Sequence, residues 1–199
     1  MYIIHNTSVF QEKVVRAALA DSASLKKRVA QDEGILNAVA KISEEIAESL
    51  KNGGKILVCG NGGSASDALH FCGEIVGRFQ KERRGFPAIA LNADVASVTS
   101  IANDYGYGRV FERSVEAYMN PEDILIGIST SGNSENIYRA VVKAKELSGK
   151  TVGLLGKTGG KIAGLVDYPI VVPSDVTARV QECHICIIHT VCDLVERML

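Results

Sequence analysis

Short apolar runs at Ile56–Cys59, Ala88–Leu91, Ile124–Ile128, Val152–Leu155 and Ile170–Val172 alternate with longer stretches of amphipathic character. Runs this short, apolar throughout and lacking period-2 alternation, are what strands covered on both faces look like. Parallel sheets are covered in this way because their crossovers are helices. The connecting segments around 64–79, 95–119, 134–148 and 158–166 are each long enough for such a crossover, and Thr177 to Leu199 supplies a last helix. The expected fold is α/β, a three-layer αβα sandwich.

Ahead of the first run, Thr7 to about Lys51 is helical in pattern. Ile35, Val39, Ile42, Ile46 and Leu50 recur at spacings of three and four, and Asn52-Gly53-Gly54 is the stop signal. These N-terminal helices have no strand partners. They read as a packing or oligomerisation element, residues 1–52, of one domain covering 1–199 whose α/β core is 53–199. Nothing Pro-rich or of low complexity divides the chain. At 199 residues with 46% hydrophobic and 23% charged residues, it has the composition of one soluble domain with a sizeable core.

With a formal net charge of −1 and no long run of one sign, the chain lacks the basic face that nucleic-acid binding by counterion release requires. No apolar stretch is long enough to span a bilayer. The start, MYIIHNTSVFQEK, has no charged segment leading into an apolar core of signal-peptide length, so a cytoplasmic protein is expected. Five scattered cysteines read as small buried hydrophobes in a reducing compartment.

Two of the strand exits carry chemistry. Lys55 to Asp67, KILVCGNGGSASD, ends an apolar run in a glycine- and hydroxyl-rich turn that opens a helix, and Asp123 to Asn136, DILIGISTSGNSEN, repeats the plan around Gly132. Backbone N–H groups at such turns point outward with partial positive charge, and glycine lets an anion approach them. Both loops leave the carboxyl ends of strands, the side on which open α/β sheets bind ligands, so the two are expected to meet at one phosphate site. Gly60-x-Gly62-x-x-Ala65 formally fits a dinucleotide fingerprint, but the acidic residue that should close the next strand about 20 residues on is missing. No Lys of the P-loop type accompanies either loop. Ser129, Thr130, Ser131 and Ser134 therefore suit a monophosphate better than a triphosphate. The competing plain readings are a tight turn without ligand and a Ser134 that merely caps a helix.

His70 and Glu74 stand four apart on the expected helix after the first loop, on one face one turn apart, a pair able to bind a metal or exchange protons. Arg78 follows one turn on, within reach of Glu74 or of a substrate anion. In the last helix, Gln181, His184 and His189 lie among Ile185, Ile187, Ile188 and Val191. A buried imidazole needs a hydrogen-bond partner, a metal or a neutral state. Cys183-x-x-Cys186 has no second pair and reads as packing.

Taken together, GNGGSASDALHFCGEIVGRF, IANDYGYG, STSGNSEN and RVQECHICIIH closely resemble the phosphoheptose isomerases of the sugar isomerase (SIS) domain superfamily, over nearly the whole chain. The resemblance implies a five-stranded parallel sheet and a homotetramer with interfacial active sites. It implies conversion of sedoheptulose 7-phosphate to D-glycero-D-manno-heptose 7-phosphate, the entry step to the heptose of lipopolysaccharide or related glycans. Carried over by position, Asn61, Gly62, Gly63, Asn103, Asp104, Ser129, Thr130, Ser131 and Ser134 contact the sugar phosphate. One zinc ion (Zn2+) per subunit lies between His70, Glu74, Gln181 and His189, and Glu74 and His189 move the proton between C1 and C2. Gln181 also faces substrate.

Spacing bears on that ligand set. Gln181 and His189 on one straight helix are about 12 Å apart along its axis, too far for one ion with bonds of about 2 Å. Either the helix starts after Gln181 or bends there, or the ligands come from different protomers; His184 is the rival ligand. Some relatives have an acid where this chain has Ala178, which withdraws any sugar-hydroxyl contact there. The competing function is a non-catalytic SIS tetramer acting as an adaptor for a replication initiator, and the joint presence of His70, Glu74, Gln181 and His189 speaks for the enzyme. An isomerase of another sugar phosphate is the nearest alternative within that reading.

Overall fold

The computed structural model describes residues 3–199, with side chains from Val9 onward; Met1 and Tyr2, at the head of the segment judged above not to be a signal sequence, lie outside it. Helices α1 (Ile3–Val29) and α2 (Glu33–Lys51) come first. The break between them falls at Asp32, whose carboxylate accepts from Ile35 N at 3.1 Å, a side-chain cap that starts α2. Strands β1 (Ile56–Gly60), β2 (Ala88–Ala90), β3 (Ile124–Ser129), β4 (Lys150–Gly156) and β5 (Tyr168–Val172) coincide with the apolar runs. Between them run α3 (Gly63–Val76), α4 (Val95–Tyr105), α5 (Val110–Tyr118), α6 (Glu135–Glu146) and the short α7 (Gly160–Ala163), and α8 (Thr177–Met198) closes the chain. The segment 95–119, expected as one crossover, is two helices. Gly106 at φ +85° ends α4, and a single 3-10 turn at Tyr107–Arg109 leads into α5.

All strand pairs are parallel, in the order β2-β1-β3-β4-β5. Side chains alternate between two cores, as the strand period of two requires. Ile124, Ile126 and Ile128 of β3 join Ile42 and Ile46 of α2, Phe71 and Ile75 of α3 and Ile188 of α8 on one face. Leu125 joins Phe111 of α5, Ile137 and Val141 of α6 and Ile162 of α7 on the other. Both faces of the sheet are thus covered, and every residue of β1 and β3 is buried. No helix among the described residues is long and apolar enough to cross a membrane.

The strand order places the site. After β1 the chain steps outward to β2 and then returns past β1 to β3, so the crossovers on either side of the β1/β3 pair depart in opposite directions and leave a crevice at its carboxyl end. Gly60 pairs with Ile128 there, and the two phosphate-type loops emerge side by side. At the opposite end of the same two strands, the 1% exposed carboxylate of Asp123 accepts from Lys55 N (2.9 Å), Lys55 Nζ (2.5 Å) and Asn120 N (2.7 Å), closing the amino ends of β1 and β3. Removing one partner of such a pair leaves an uncompensated buried charge. Asp123→Ala is expected to lower the unfolding free energy by about 3 kcal/mol, measured by urea denaturation.

Candidate active site

The first loop, Asn61 to Gly63, turns from β1 into α3 through Gly62 at φ +58°, a conformation open to glycine but strained for other residues. The second, Thr130 to Ser134, turns from β3 into α6. Gly132 sits at φ +65° with its back against the Gly159–Gly160 turn, so closely that any Cβ would collide with the Gly159 carbonyl. Ile162 N donates to Gly132 O at 3.1 Å and Lys161 N to Asn133 Oδ1 at 3.1 Å, fastening this loop to α7. Ser134 is the N-cap residue of α6, but its hydroxyl makes no capping bond; it pairs instead with the Ser129 hydroxyl at 2.9 Å. The plain capping reading therefore gives way to a hydroxyl cluster facing the start of a helix, a suitable cradle for an anion.

The loops are joined by a reciprocal amide pair. Asn61 Nδ2 donates to Asn136 Oδ1 and Asn136 Nδ2 donates to Asn61 Oδ1, both at 2.9 Å, and the Tyr107 hydroxyl donates to Asn61 Oδ1 at 2.9 Å. The Asn61 side chain thus holds the two loops at a fixed separation. Asn136 is buried, and neither it nor Tyr107 was singled out in the sequence. Asn136 is the last residue of the STSGNSEN motif, where the only available signal was a polar residue at the first helical turn. Asn103 and Asp104, on α4, are exposed and bonded to each other at 2.8 Å.

A second cluster lies farther along α3. His70 Nε2 is 3.0 Å from Glu74 Oε1, the expected one-turn pair, and His189 Nε2 of α8 comes to 3.3 Å from His70 Nε2. The two rings meet edge to face, with centroids 4.9 Å apart, and the Phe79 ring lies 5.7 Å from that of His189. Ligand atoms of His70, Glu74 and His189 all fall within 4.8 Å of one another. Two imidazole nitrogens aimed at each other require that one carry the proton and donate, or that a cation stand between them. Two nitrogens and a carboxylate oxygen at such separations suit a metal with bonds of about 2.0–2.2 Å and an open position. Asp67, one turn before His70, has its carboxyl pushed up by burial, against a smaller opposing pull from His70.

A profile of the SIS domain matches residues 19–156. The phosphoheptose isomerase of Geotalea daltonii is 55% identical over 161 residues, covering 81% of this chain and 84% of that protein. The phosphoheptose isomerase of Helicobacter pylori strain P12 is 49% identical over 189 residues, 95% of this chain and 97% of the relative. The solved structure of a phosphoheptose isomerase from Francisella tularensis superposes with a TM-score of 0.90 at 38% identity, covering 94% of this chain and 98% of that one. This chain belongs to the phosphoheptose isomerase family.

In this phosphoheptose isomerase, the course of α8 narrows the alternatives left open for Gln181. Helix α8 begins at Thr177 and runs unbroken past His189, so the idea that it starts after Gln181 is wrong. Within one protomer Gln181 lies over the start of α3, where a Cβ on Gly63 would stand 2.5 Å from its Nε2, at the loop end of the cleft and not among His70, Glu74 and His189. His184 does not belong to the cluster either. It is fully buried, and its Nε2–H donates to Leu155 O at 2.9 Å. Burial lowers its pKa to about 4, against a weaker raising effect of that hydrogen bond, so the ring is neutral. Arg78 contacts Gln80 O and Glu82 and leaves Glu74 to His70. Among the described residues all five cysteines are free thiols; Cys186 is exposed, and burial pushes Cys72 and Cys192 up to about 12.

Two outcomes follow. Asn136→Ala leaves Asn61 Nδ2 without its acceptor, Tyr107 still donating to Oδ1, and removes the direct bond between the loops, a loss of about 1–3 kcal/mol. The sugar phosphate KM is expected to rise about tenfold, read by steady-state kinetics. Between pH 6.5 and 4 the unfolded chain binds a proton that folded His184 refuses, so stability is complete above 6.5 and falls as pH drops through that window. From pH 6.5 to 5 this amounts to about 2 kcal/mol, and urea unfolding of His184→Gln should lack that share of the pH dependence.

Proposed function

We propose that this isomerase converts sedoheptulose 7-phosphate to D-glycero-D-manno-heptose 7-phosphate, supplying heptose for lipopolysaccharide or a related glycan. The observation that carries the reading is the convergence of His70, Glu74 and His189 in a chain of this family. Helix α3 adds to it. Its start lies in the phosphate-type turn at Gly63 and its His70 is seven residues on, about 10 Å along the axis. That separation suits an open-chain sugar with its phosphate at one end and its carbonyl at the other.

In this reading the backbone N–H groups of Gly62 and Gly63, together with Ser129, Thr130, Ser131 and Ser134, hold the phosphate, with helix N-termini supplying the compensating charge. Asn103 and Asp104 contact the sugar from α4. Glu74 takes the proton from the carbon beside the carbonyl and returns it to the neighbouring carbon. His189 moves the proton between the two oxygens, and His70 holds Glu74 by their hydrogen bond. The metal-compatible donor set would hold zinc through His70, Glu74 and His189, the ion then taking the place of the His70–Glu74 hydrogen bond, with Gln181 of the partner subunit as the fourth ligand. Bound there, zinc would polarise the substrate oxygens and stabilise the enediolate charge.

Assembly as a homotetramer is supported by two apolar features with no cover in a single chain. Val9, Phe10, Val14, Val15 and Leu19 are exposed along α1, and a groove of about 350 Å³ between α1, α2 and α8 is lined by Val29, Leu36, Val39, Cys186 and Leu194. The N-terminal helices then serve as the assembly element of a single SIS domain, and a cytoplasmic location fits a phosphorylated substrate.

Incubation with sedoheptulose 7-phosphate, followed by NMR of the aldose product, tests the reading. Glu74→Gln is expected to lower kcat about 10²–10⁴-fold while KM for the sugar phosphate stays near wild type. Chelation should abolish turnover and zinc restore it. Absence of product from the folded wild-type protein charged with zinc would overturn the assignment.

A further inference from the structure

Glu196, in the last turn of α8, is only 5% exposed, yet its carboxylate accepts four hydrogen bonds from the segment after α3. Phe79 N and Arg83 Nε reach Oε1 at 3.1 and 2.9 Å, and Gln80 N and Lys81 N reach Oε2 at 2.8 and 2.7 Å. Burial by itself would raise this carboxyl; the three backbone donors and the guanidinium outweigh it and bring it down to about 2.

Arg83 directs most of its remaining donors to the end of α3 and one to the neighbouring Arg84 carbonyl. Nη2 donates to Glu74 O at 2.8 Å, and Nη1 donates to Ile75 O, Gly77 O and Arg84 O at 2.9, 3.2 and 3.0 Å. The last carbonyls of a helix have no partner within it and carry partial negative charge, and α3 has no basic residue in its own last turn. Arg83 supplies both the donors and the cation.

A buried ion pair recovers little more than its desolvation cost, so its chief yield is a defined arrangement. What is arranged here is specific. Helix α3 carries Glu74, whose own carbonyl is one of the bonded groups. Helix α8 carries His189 two turns before Glu196. Phe79, whose N–H is gripped by Glu196, places its ring against the His189 ring.

We propose that Arg83 and Glu196 are positioning residues of the isomerase centre, locking the end of α3 to α8 so that Glu74 and His70 meet His189 at working distance with Phe79 fixing the imidazole. Neither residue touches the reacting groups. The inference rests on the functional reading above, in that the centre positioned is the one assigned there.

The test compares wild type, Glu196→Gln, Arg83→Lys and Phe79→Leu with Asp123→Asn, which weakens a buried pair at the opposite end of the sheet and serves as the stability control. Each protein is checked for folding by circular dichroism and thermal melting. Zinc affinity is then measured by calorimetry, and kcat and KM with sedoheptulose 7-phosphate. Expected for the three site variants is a roughly 10–100-fold loss in zinc affinity and in kcat, with KM within about twofold of wild type, while Asp123→Asn melts lower without either loss. Zinc affinity and kcat within twofold of wild type in the folded site variants, or losses no larger than those of Asp123→Asn at equal melting temperature, would overturn the proposal. Should Glu196→Gln and Arg83→Lys fail to fold, Phe79→Leu, which keeps the ion pair, decides by the same criteria. Zinc affinity reports on the clamp even if wild type does not turn over this substrate, so failure of the functional reading and failure of the clamp are separately visible.

Discussion

The adjacency of β1 and β3 in a parallel sheet is the constraint on which the rest of the site depends. Since β1 pairs with β2 on one side and β3 on the other, the chain must leave these neighbours in opposite directions, and their carboxyl ends open a crevice that crossover helices cannot fill. Both glycine-rich turns empty into that crevice. The Asn61–Asn136 amide pair then fixes their separation, and Gly132 allows the second turn to rest on the Gly159–Gly160 backbone. Breaking the strand order would disperse all of these at once.

From that anchor, α3 connects binding to chemistry. It starts in the first phosphate-type turn, presents His70 two turns and Glu74 three turns later, and ends in the grip of Arg83. Helix α8 lies along it, with Gln181 near the start of α3, His189 at the cluster and Glu196 at the far end. The site is thus a ladder between two helices whose rungs are a glutamine, a His-Glu-His cluster and a buried ion pair. A rigid pair of helices is well suited to holding a proton-transfer geometry, because small displacements are costly in rate. The loops contribute no lysine or arginine side chain among the residues assigned to the phosphate, so oriented N–H groups and hydroxyls must balance its charge. This favours a monophosphate over a polyphosphate.

The amino acid sequence made visible those features that repeat locally or occupy adjacent turns. Apolar runs marked all the strands, because strands covered on both faces show no polar alternation, and the His70/Glu74 pair followed from helical spacing alone. Asn61 was legible as a turn residue at the phosphate-type loop, but its bond to Asn136 was not, since that partner lies 75 residues away and an asparagine in a turn shows nothing about which group it meets. Arg83 and Glu196 escaped notice for the same reason. They are ordinary charged residues in sequence, 113 positions apart, and only their burial against each other distinguishes them.

What the sequence by itself determined is the fold class, the two anion-ready turns and the residue types able to bind metal and move protons, because periodicity, glycine placement and side-chain chemistry are local properties. The tertiary structure decided which of those residues act together. It separated Gln181 from the cluster by the unbroken length of α8, withdrew His184 into the core as a neutral imidazole, and brought His189 to His70 across 119 residues of chain. Those outcomes depend on how helices pack over a twisted sheet, a sum of many contacts distant in sequence, and no local pattern encodes it.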